Sequence, residues 1–199
     1  MQGSKPKHNP SIEVGPEFGI TFTPAPKGRE PVVAVGGTWN AMPRQPRLLT
    51  ENLQPYITAA AEILKSKGIT NPQVKLTQVV EIDLDGDGVN EVLVCARRFT
   101  MAHLYDALND GDYSMVFLHL PVGEKMRNIL IEGQFQAPSR PKSSMARTRQ
   151  VIGLVDADGD GVMEIVVNCA YYEGGGTELY QLRGDKVDVD LVLYEDWGL

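Results

Sequence analysis

The sequence predicts a mainly β protein with one amphipathic α-helix, and three observations support this fold class. Two segments of twelve residues, which begin at Asp83 and at Asp156, agree at eight positions. Each segment follows an alternating run of apolar and polar residues and leads into a dense apolar run, as half-buried and fully buried strands do. One stretch, from Leu53 to Lys67, instead repeats its apolar residues at helical spacing. We expect two four-stranded antiparallel, blade-like meanders packed together, with one copy of the repeated segment in each.

The composition narrows the class of protein. A chain of 199 residues is long enough for one well-buried domain. Its 42% hydrophobic and 23% charged residues are typical of a globular protein, and its net charge of −7 argues against nucleic acid as a partner. The chain has no run of eighteen apolar residues, so no membrane span is predicted. The two cysteines, Cys95 and Cys169, are interpreted as buried thiols rather than as a disulfide.

The chain divides into a tail and one domain. Residues 1–16 are polar and rich in proline, so we expect a flexible tether, and its first ten residues lack the apolar segment of a signal peptide. Residues 17–199 are expected to form a single β domain. It consists of an N-terminal strand and helix cover (17–70) and two repeats (about 73–136 and 149–195).

The predicted helix has recognisable ends. Asn52 or Thr50 supplies a side chain suited to capping, and Pro55 is tolerated in the first turn. Gly68 follows the last apolar residue and provides the stop. Its apolar stripe predicts a helix that covers the core.

The alternation in the strands also predicts which side chains share a face. In the first strand of the first repeat, Leu76 and Val80 are predicted to face the same way. In the last strand of the chain, Leu191 and Leu193 are predicted to lie on a buried face.

The repeated segments have the spacing of cation-binding loops. Positions one, three and five are Asp, position seven offers a backbone carbonyl, and position nine is Glu. Glycines at positions four and six accept the positive φ that a tight wrap requires. An EF-hand would need a Glu at position twelve, where this chain has Val94 and Val167, so the EF-hand class is excluded. The predicted metal ligands are Asp83, Asp85, Asp87, Val89, Glu91, Asp156, Asp158, Asp160, Val162 and Glu164.

Two bound calcium ions are the predicted cofactors. Four carboxylates within nine residues repel one another unless a cation neutralises them, and oxygen-rich loops bind hard divalent cations, above all Ca²⁺. Acidic turns without a metal are the alternative. We expect affinities on the order of 10⁻⁴ to 10⁻³ M or somewhat tighter, and a structural rather than a sensing role.

The pattern Asp-x-Asp-Gly-Asp-Gly-x-x-Glu before an apolar strand resembles the calcium loops of FG-GAP and VCBS-type repeats. These repeats form blades of integrin-α-like β-propellers, and their loop joins the first two strands of a four-stranded blade. The resemblance covers residues 73–100 and 149–194. This chain departs from the family by the Glu at position nine, by the absence of a Phe-Gly…Gly-Ala-Pro segment and by having two repeats, whereas a propeller takes at least four blades. Two blades would instead face each other as a sandwich.

The resemblance implies a secreted, periplasmic or cell-surface protein that binds a protein or glycan partner without catalysis. A metal-dependent hydrolase acting on a polysaccharide or phosphoester is the alternative function. A ligand groove lined by Trp39, Arg44, Arg47 and Tyr56 is a further possibility, although packing and surface charge explain these residues equally well.

Overall fold

The computed structural model describes residues 2–5, 7–9, 17–19, 21–25, 33–100, 106–142, 145–184, 186 and 188–198. In this part of the chain the fold is mainly β, with one helix, α1 (Gln54–Ser66). The strands are β1 (Gln2–Gly3), β2 (Lys7–Asn9), β3 (Glu17–Gly19), β4 (Phe22–Thr23), β5 (Arg47–Leu48), β6 (Leu76–Ile82), β7 (Glu91–Arg97), β8 (Tyr113–Val122), β9 (Lys125–Phe135), β10 (Thr148–Val155), β11 (Glu164–Tyr171), β12 (Gly174–Leu182) and β13 (Val189–Gly198).

Two antiparallel meanders form the body of the domain, as predicted. Sheet 1 has the strand order β5-β6-β7-β8-β9, and sheet 2 has the order β10-β11-β12-β13. Neither sheet closes into a barrel. Sheet 1 has one strand more than expected, because Arg47 and Leu48 pair with Glu81 and Val80 at its edge.

The N-terminal region contributes two small two-stranded sheets, β1 with β4 and β2 with β3. Strands β1 and β2 fall within the expected tether, of which residues 10–16 lie outside the described part of the chain. The segment from Val33 to Val35 is irregular. It lies against the outer face of sheet 2, where it shares a small cavity with Val166.

Helix α1 covers the outer face of sheet 1, as its apolar stripe predicts. Ala60 and Leu64 are fully buried against Val94 of β7. The predicted cap is wrong, since Leu53 occupies the N-cap position and no side chain caps the helix. Gly68 ends the helix at a φ of +92°, a conformation that favours glycine. The described chain contains no helix with the length and hydrophobicity that crossing a bilayer requires.

The two sheets stack front to back. Leu93 of β7 packs into the core between the sheets together with Val167 of β11. The residue equivalent to Val167 in the first repeat is Val94, which faces the helix. The residue equivalent to Leu93 in the second repeat is Val166, which lies on the outer face near Val33. Opposite faces of the two repeats therefore meet, and the expected face-to-face sandwich is replaced by a stack in which both repeats point the same way.

Two predicted faces are wrong. A register shift between Leu76 and Gln78 places an extra residue in β6, so Leu76 packs on the helix side and Val80 between the sheets. In β13, Leu191 is 54% and Leu193 61% exposed. Strand β13 is the last strand of sheet 2, and no helix covers that sheet in the described part of the chain.

Candidate metal centres

Loop 1 (Asp83–Glu91) and loop 2 (Asp156–Glu164) have the same backbone wrap. In loop 1 the two carboxylate oxygens of Asp83 accept hydrogen bonds from the amides of Gly86, at 2.7 Å, and Gly88, at 3.1 Å. In loop 2 the two oxygens of Asp156 accept the corresponding bonds, at 2.6 and 3.1 Å. The glycines at positions four and six of both loops have φ between +79° and +88°. The predicted need for glycine at these positions is therefore met in both copies.

The Glu at position nine closes each loop. Glu91 accepts a hydrogen bond from the Leu84 amide at 2.9 Å, and Glu164 accepts one from the Ala157 amide at 2.6 Å. Each Glu is the first residue of the strand that follows the loop and is almost completely buried. These hydrogen bonds fix each carboxylate beside the start of its own loop.

Three predicted ligands of each loop meet at one point. Oxygen atoms of the three lie within 4.8 Å of one another, close enough to share a metal ion. The two clusters consist of Asp83, Asp85 and Glu91 in loop 1 and of Asp156, Asp158 and Glu164 in loop 2.

The remaining predicted ligands lie at the rim of each loop. Asp87 and Asp160 each accept a hydrogen bond from the amide two residues later, that of Val89 at 2.8 Å and of Val162 at 2.7 Å. This leaves the second carboxylate oxygen of each Asp to other partners. The assignment of the Val89 and Val162 carbonyls as ligands is still a prediction.

Burial disfavours the ionised form of the glutamate at position nine of each loop. It raises the pKa of Glu91 and of Glu164 above the ordinary range, although the amide hydrogen bonds from Leu84 and Ala157 oppose the effect. In loop 2 the nearby charge of Asp158 raises the pKa of Glu164 further. A cation beside these two glutamates would favour their ionised form, and the all-oxygen donor set of each cluster fits a hard divalent ion.

The two loops differ in the side chain that reaches them. Lys186 follows the turn after β12, with a φ of +53° that non-glycine residues rarely adopt. Its ammonium group lies 2.9 Å from Asp85 Oδ2, 2.7 Å from Asp87 Oδ2 and 3.1 Å from Glu91 Oε1. Burial lowers the pKa of Lys186, but the three carboxylates outweigh burial and raise it overall. The hydrogen bond from Lys186 also holds the pKa of Asp87 below its usual range. The ammonium of Lys186 thus offsets part of the negative charge of loop 1.

Loop 2 is approached by an uncharged amide. Gln181 Nε2 lies 3.2 Å from Glu164 Oε1 and 3.3 Å from Asp160 Oδ2. Among the described residues, no lysine or arginine forms a salt bridge with a carboxylate of this loop. The negative charge of loop 2 is therefore the less compensated of the two.

A segment from Trp39 to Arg44 holds the two loops together. The guanidinium of Arg44 donates to the carbonyls of Asp83 at 2.5 Å, Leu84 at 2.8 Å and Gly161 at 2.6 Å. The indole of Trp39 donates to the Asp156 carbonyl at 2.9 Å. We call this segment the strap.

The loops also contact each other directly, since the Met163 amide donates to the Leu84 carbonyl at 2.8 Å. Of the four residues suggested for a ligand groove, Trp39 and Arg44 belong to the strap. Arg47 and Tyr56 do line a groove, of about 380 Å³, beside Glu81.

The sequence did not identify Lys186, Gln181 or the strap as part of the sites. Lys186 could not be recognised from its position in the sequence, because it is 99 residues from Asp87. The sequence indicates Arg44 only as a possible lining residue of a ligand groove, and Arg44 is 39 residues from Asp83.

Comparison of the chain with models of known protein families, with curated proteins and with solved structures returned no match.

Proposed function

We propose that the protein is a calcium-stabilised binding module of the extracellular space or cell surface, without catalytic activity. The observation that carries this proposal is the repeated loop. Two segments, 73 residues apart, wrap their carboxylates with the same hydrogen bonds and place three of them within 4.8 Å. Calcium is the hard cation that favours such irregular, carboxylate-rich oxygen sites. The front-to-back stack of the repeats also supports the resemblance to propeller blades.

The two loops differ in their proposed affinity for calcium. Loop 2 is the stronger calcium site, because in the part of the chain that the structure describes no ammonium competes with the ion for Asp158 and Glu164. In loop 1 calcium must displace the ammonium of Lys186 from three carboxylates. Displacement of a bound cation lowers the apparent affinity, so loop 1 binds calcium more weakly.

Calcium has a structural role in both loops. Each loop joins the first two strands of its repeat, β6 to β7 and β10 to β11. An ion bound there neutralises the buried carboxylate that begins the second of these strands. The proposed affinity, on the order of 10⁻⁴ to 10⁻³ M, is that of calcium sites in extracellular modules and is part of the same proposal.

The hydrolase alternative receives less support from the grooves. The groove beside Tyr56 contains the carboxylates of Glu51 and Glu81. Glu81 is bound by Arg47 through both Nε, at 2.9 Å, and Nη2, at 2.5 Å. A carboxylate that already accepts two hydrogen bonds from an arginine is poorly placed to transfer a proton. We therefore assign the surface of the protein to binding a protein or glycan and not to hydrolysis.

Thermal unfolding with and without calcium tests the proposal. A ligand at 100 times its Kd stabilises by about 2.7 kcal/mol, and about 1 kcal/mol raises Tm by about 2–4 °C at this size. We expect excess calcium to raise Tm by about 5–10 °C over the value in chelator. Equal midpoints in calcium and chelator would overturn the proposal.

A matched pair of variants separates the loops. Asp158→Asn removes a ligand from loop 2 and should abolish most of the calcium-dependent rise in Tm. Asp85→Asn makes the equivalent change in loop 1 and should leave most of that rise intact. A glycan array and a pull-down, each with and without calcium, then address the partner.

A further inference from the structure

The last strand of sheet 2 leaves an apolar edge open to solvent. Strand β13 pairs with β12 on one side. In the part of the chain that the structure describes, no segment pairs with its other side. Four consecutive apolar residues of β13 are more than half exposed, namely Leu191, Val192, Leu193 and Tyr194. An edge of this kind is a template for another strand.

Other edge strands of the two sheets are protected in ways that β13 is not. Strand β5, at one edge of sheet 1, has only two residues. Strand β9, at the opposite edge, carries Lys125 and Arg127, and charged side chains on an edge disfavour pairing with another chain. Strand β13 is ten residues long and contains no lysine, arginine or proline. It therefore lacks the protection that β5 and β9 have.

A bulge divides β13 and leaves its C-terminal part regular. The register shifts between Leu179 and Tyr180, which pair with Leu193 and Leu191. From Leu193 to Gly198 the pairing with β12 is uninterrupted. An added strand can follow this stretch without a break in the ladder.

A small cavity adjoins the regular stretch on the outer face of sheet 2. Its volume is about 190 Å³, and its lining includes Leu193 and Glu195 of β13 together with Leu179 and Val166. When a strand is added to a sheet, main-chain hydrogen bonds supply affinity, and pockets for alternate side chains supply specificity. The apolar lining suits the hydrocarbon part of a side chain, and the carboxylate of Glu195 suits a basic end group.

The charges beside the open edge select the partner. Glu195 and Asp196 are exposed, and no lysine or arginine of the described chain forms a salt bridge with either. A symmetric antiparallel pair of two regular stretches would place Glu195 of each copy opposite Asp196 of the other. Like charges that face each other across a ladder are destabilising, so a second copy is disfavoured. A strand that carries lysine or arginine instead meets complementary charge.

We propose that β13 is a docking edge for an extended segment of a partner protein, which adds to sheet 2 as a further strand and carries basic residues beside apolar ones. This proposal rests on the proposed function, and it chooses a protein over a glycan as the partner. Main-chain hydrogen bonds along the regular stretch hold the segment. Its apolar side chains cover Leu193 and Tyr194, and its basic side chains pair with Glu195 and Asp196.

Selection of phage-displayed random dodecapeptides on the immobilised protein, in calcium, tests the proposal. We expect the enriched peptides to contain apolar residues at alternate positions and lysine or arginine beside them. Fluorescence anisotropy then measures the affinity of one enriched peptide for each variant. Glu195→Lys should lower this affinity about tenfold or more, because it reverses the charge that the peptide meets. Glu124→Lys makes the same change at the exposed β8–β9 turn and should bind the peptide as the wild type does.

Methylation of the peptide backbone shows whether the peptide binds as a strand. In a β-ladder, the N–H groups of alternate residues point to the neighbouring strand. N-methylation of one alternate set should abolish binding, and methylation of the other set should leave it largely unchanged. Equal effects of the two methylated peptides, or unaltered affinity in Glu195→Lys, would contradict the docking edge. A dimer of the free protein that Leu193→Thr separates would also contradict it, because a second copy would then occupy β13.

Calcium dependence separates this proposal from the proposed function. Peptide binding by a protein whose Tm does not respond to calcium would overturn the calcium role and leave the docking edge in place. A calcium-dependent rise in Tm without selection of any basic, apolar peptide would leave the calcium role in place and overturn the docking edge.

Discussion

Loop 1 and loop 2 have nearly the same sequence and the same backbone hydrogen bonds, yet different partners complete them. In loop 1 the ammonium of Lys186 contacts three carboxylates, and in loop 2 the amide of Gln181 contacts two. Both partners come from the region around the end of β12, which belongs to sheet 2, whereas β7 belongs to sheet 1. The repeated motif thus specifies the wrap of the loop, while a residue outside the motif determines how much of its negative charge is offset.

The largest expected effect follows from removing the lysine. Lys186→Met leaves the fully buried Glu91 without its cation, and breaking a buried ion pair costs about 3–5 kcal/mol. Because Asp87 remains 44% exposed, we expect the lower end of this range, about 3 kcal/mol in chelator. Excess calcium should restore most of the loss by binding to the vacated loop. Urea denaturation with and without calcium measures both effects.

Lys125→Met, at the exposed β8–β9 turn, is the control for Lys186→Met. It should change the free energy of unfolding by less than about 0.5 kcal/mol. Unaltered stability of Lys186→Met in chelator would mean that the ammonium does not neutralise loop 1.

A smaller loss is expected when the strap is released. Arg44→Met deprives carbonyls of both loops of their donor, and unsatisfied polar groups cost about 1–3 kcal/mol. We expect a loss of about 2 kcal/mol in the free energy of unfolding. Arg47→Met is the matched control, since its ion pair with Glu81 is exposed and contributes at most about 1 kcal/mol.

The outcome for Arg44→Met also tests whether the strap couples the loops. Calorimetric titration of this variant with calcium should show loop 2 weakened, although Arg44 touches no carboxylate. Wild-type stability and wild-type calcium affinity together would contradict the assigned role.

The smallest effect is expected when the glutamine that reaches loop 2 is replaced by a lysine, the residue type that reaches loop 1. Gln181→Lys brings an ammonium to loop 2 and should make it resemble loop 1. Competition with calcium for Glu164 and Asp160 is expected to weaken binding about tenfold, which corresponds to about 1.4 kcal/mol. Calorimetric titration measures the affinity, and Gln181→Met controls for loss of the amide. If Gln181→Lys binds calcium as tightly as Gln181→Met, the difference between the loops does not come from the ammonium.

Local patterns predicted the fold well wherever neighbouring residues decide the structure. The helix, both meanders and the wrap of both loops depend on spacings of two to nine residues, which the sequence displays directly. The extra residue at the β6 bulge has no local signature, and it reversed the predicted face of Leu76. The exposure of Leu191 depends on which surface lacks a covering layer, and that is a property of the assembled sheets.

The residues of the candidate sites likewise fall into those that the sequence could predict and those that it could not. Their carboxylates could be predicted because each loop is contiguous in the chain. Lys186 and Arg44 could not, because their positions follow from the front-to-back stack of the repeats.

The strap has a consequence for the order of events in folding. The contacts of Trp39 with Asp156 and of Arg44 with Gly161 each span 117 residues. Closing so long a loop of chain carries a large entropy cost, which shorter-range pairings such as β8 with β9 do not have to meet. The hairpins can form first, and both loops acquire all their partners only after the chain has been synthesised as far as Lys186 and has collapsed.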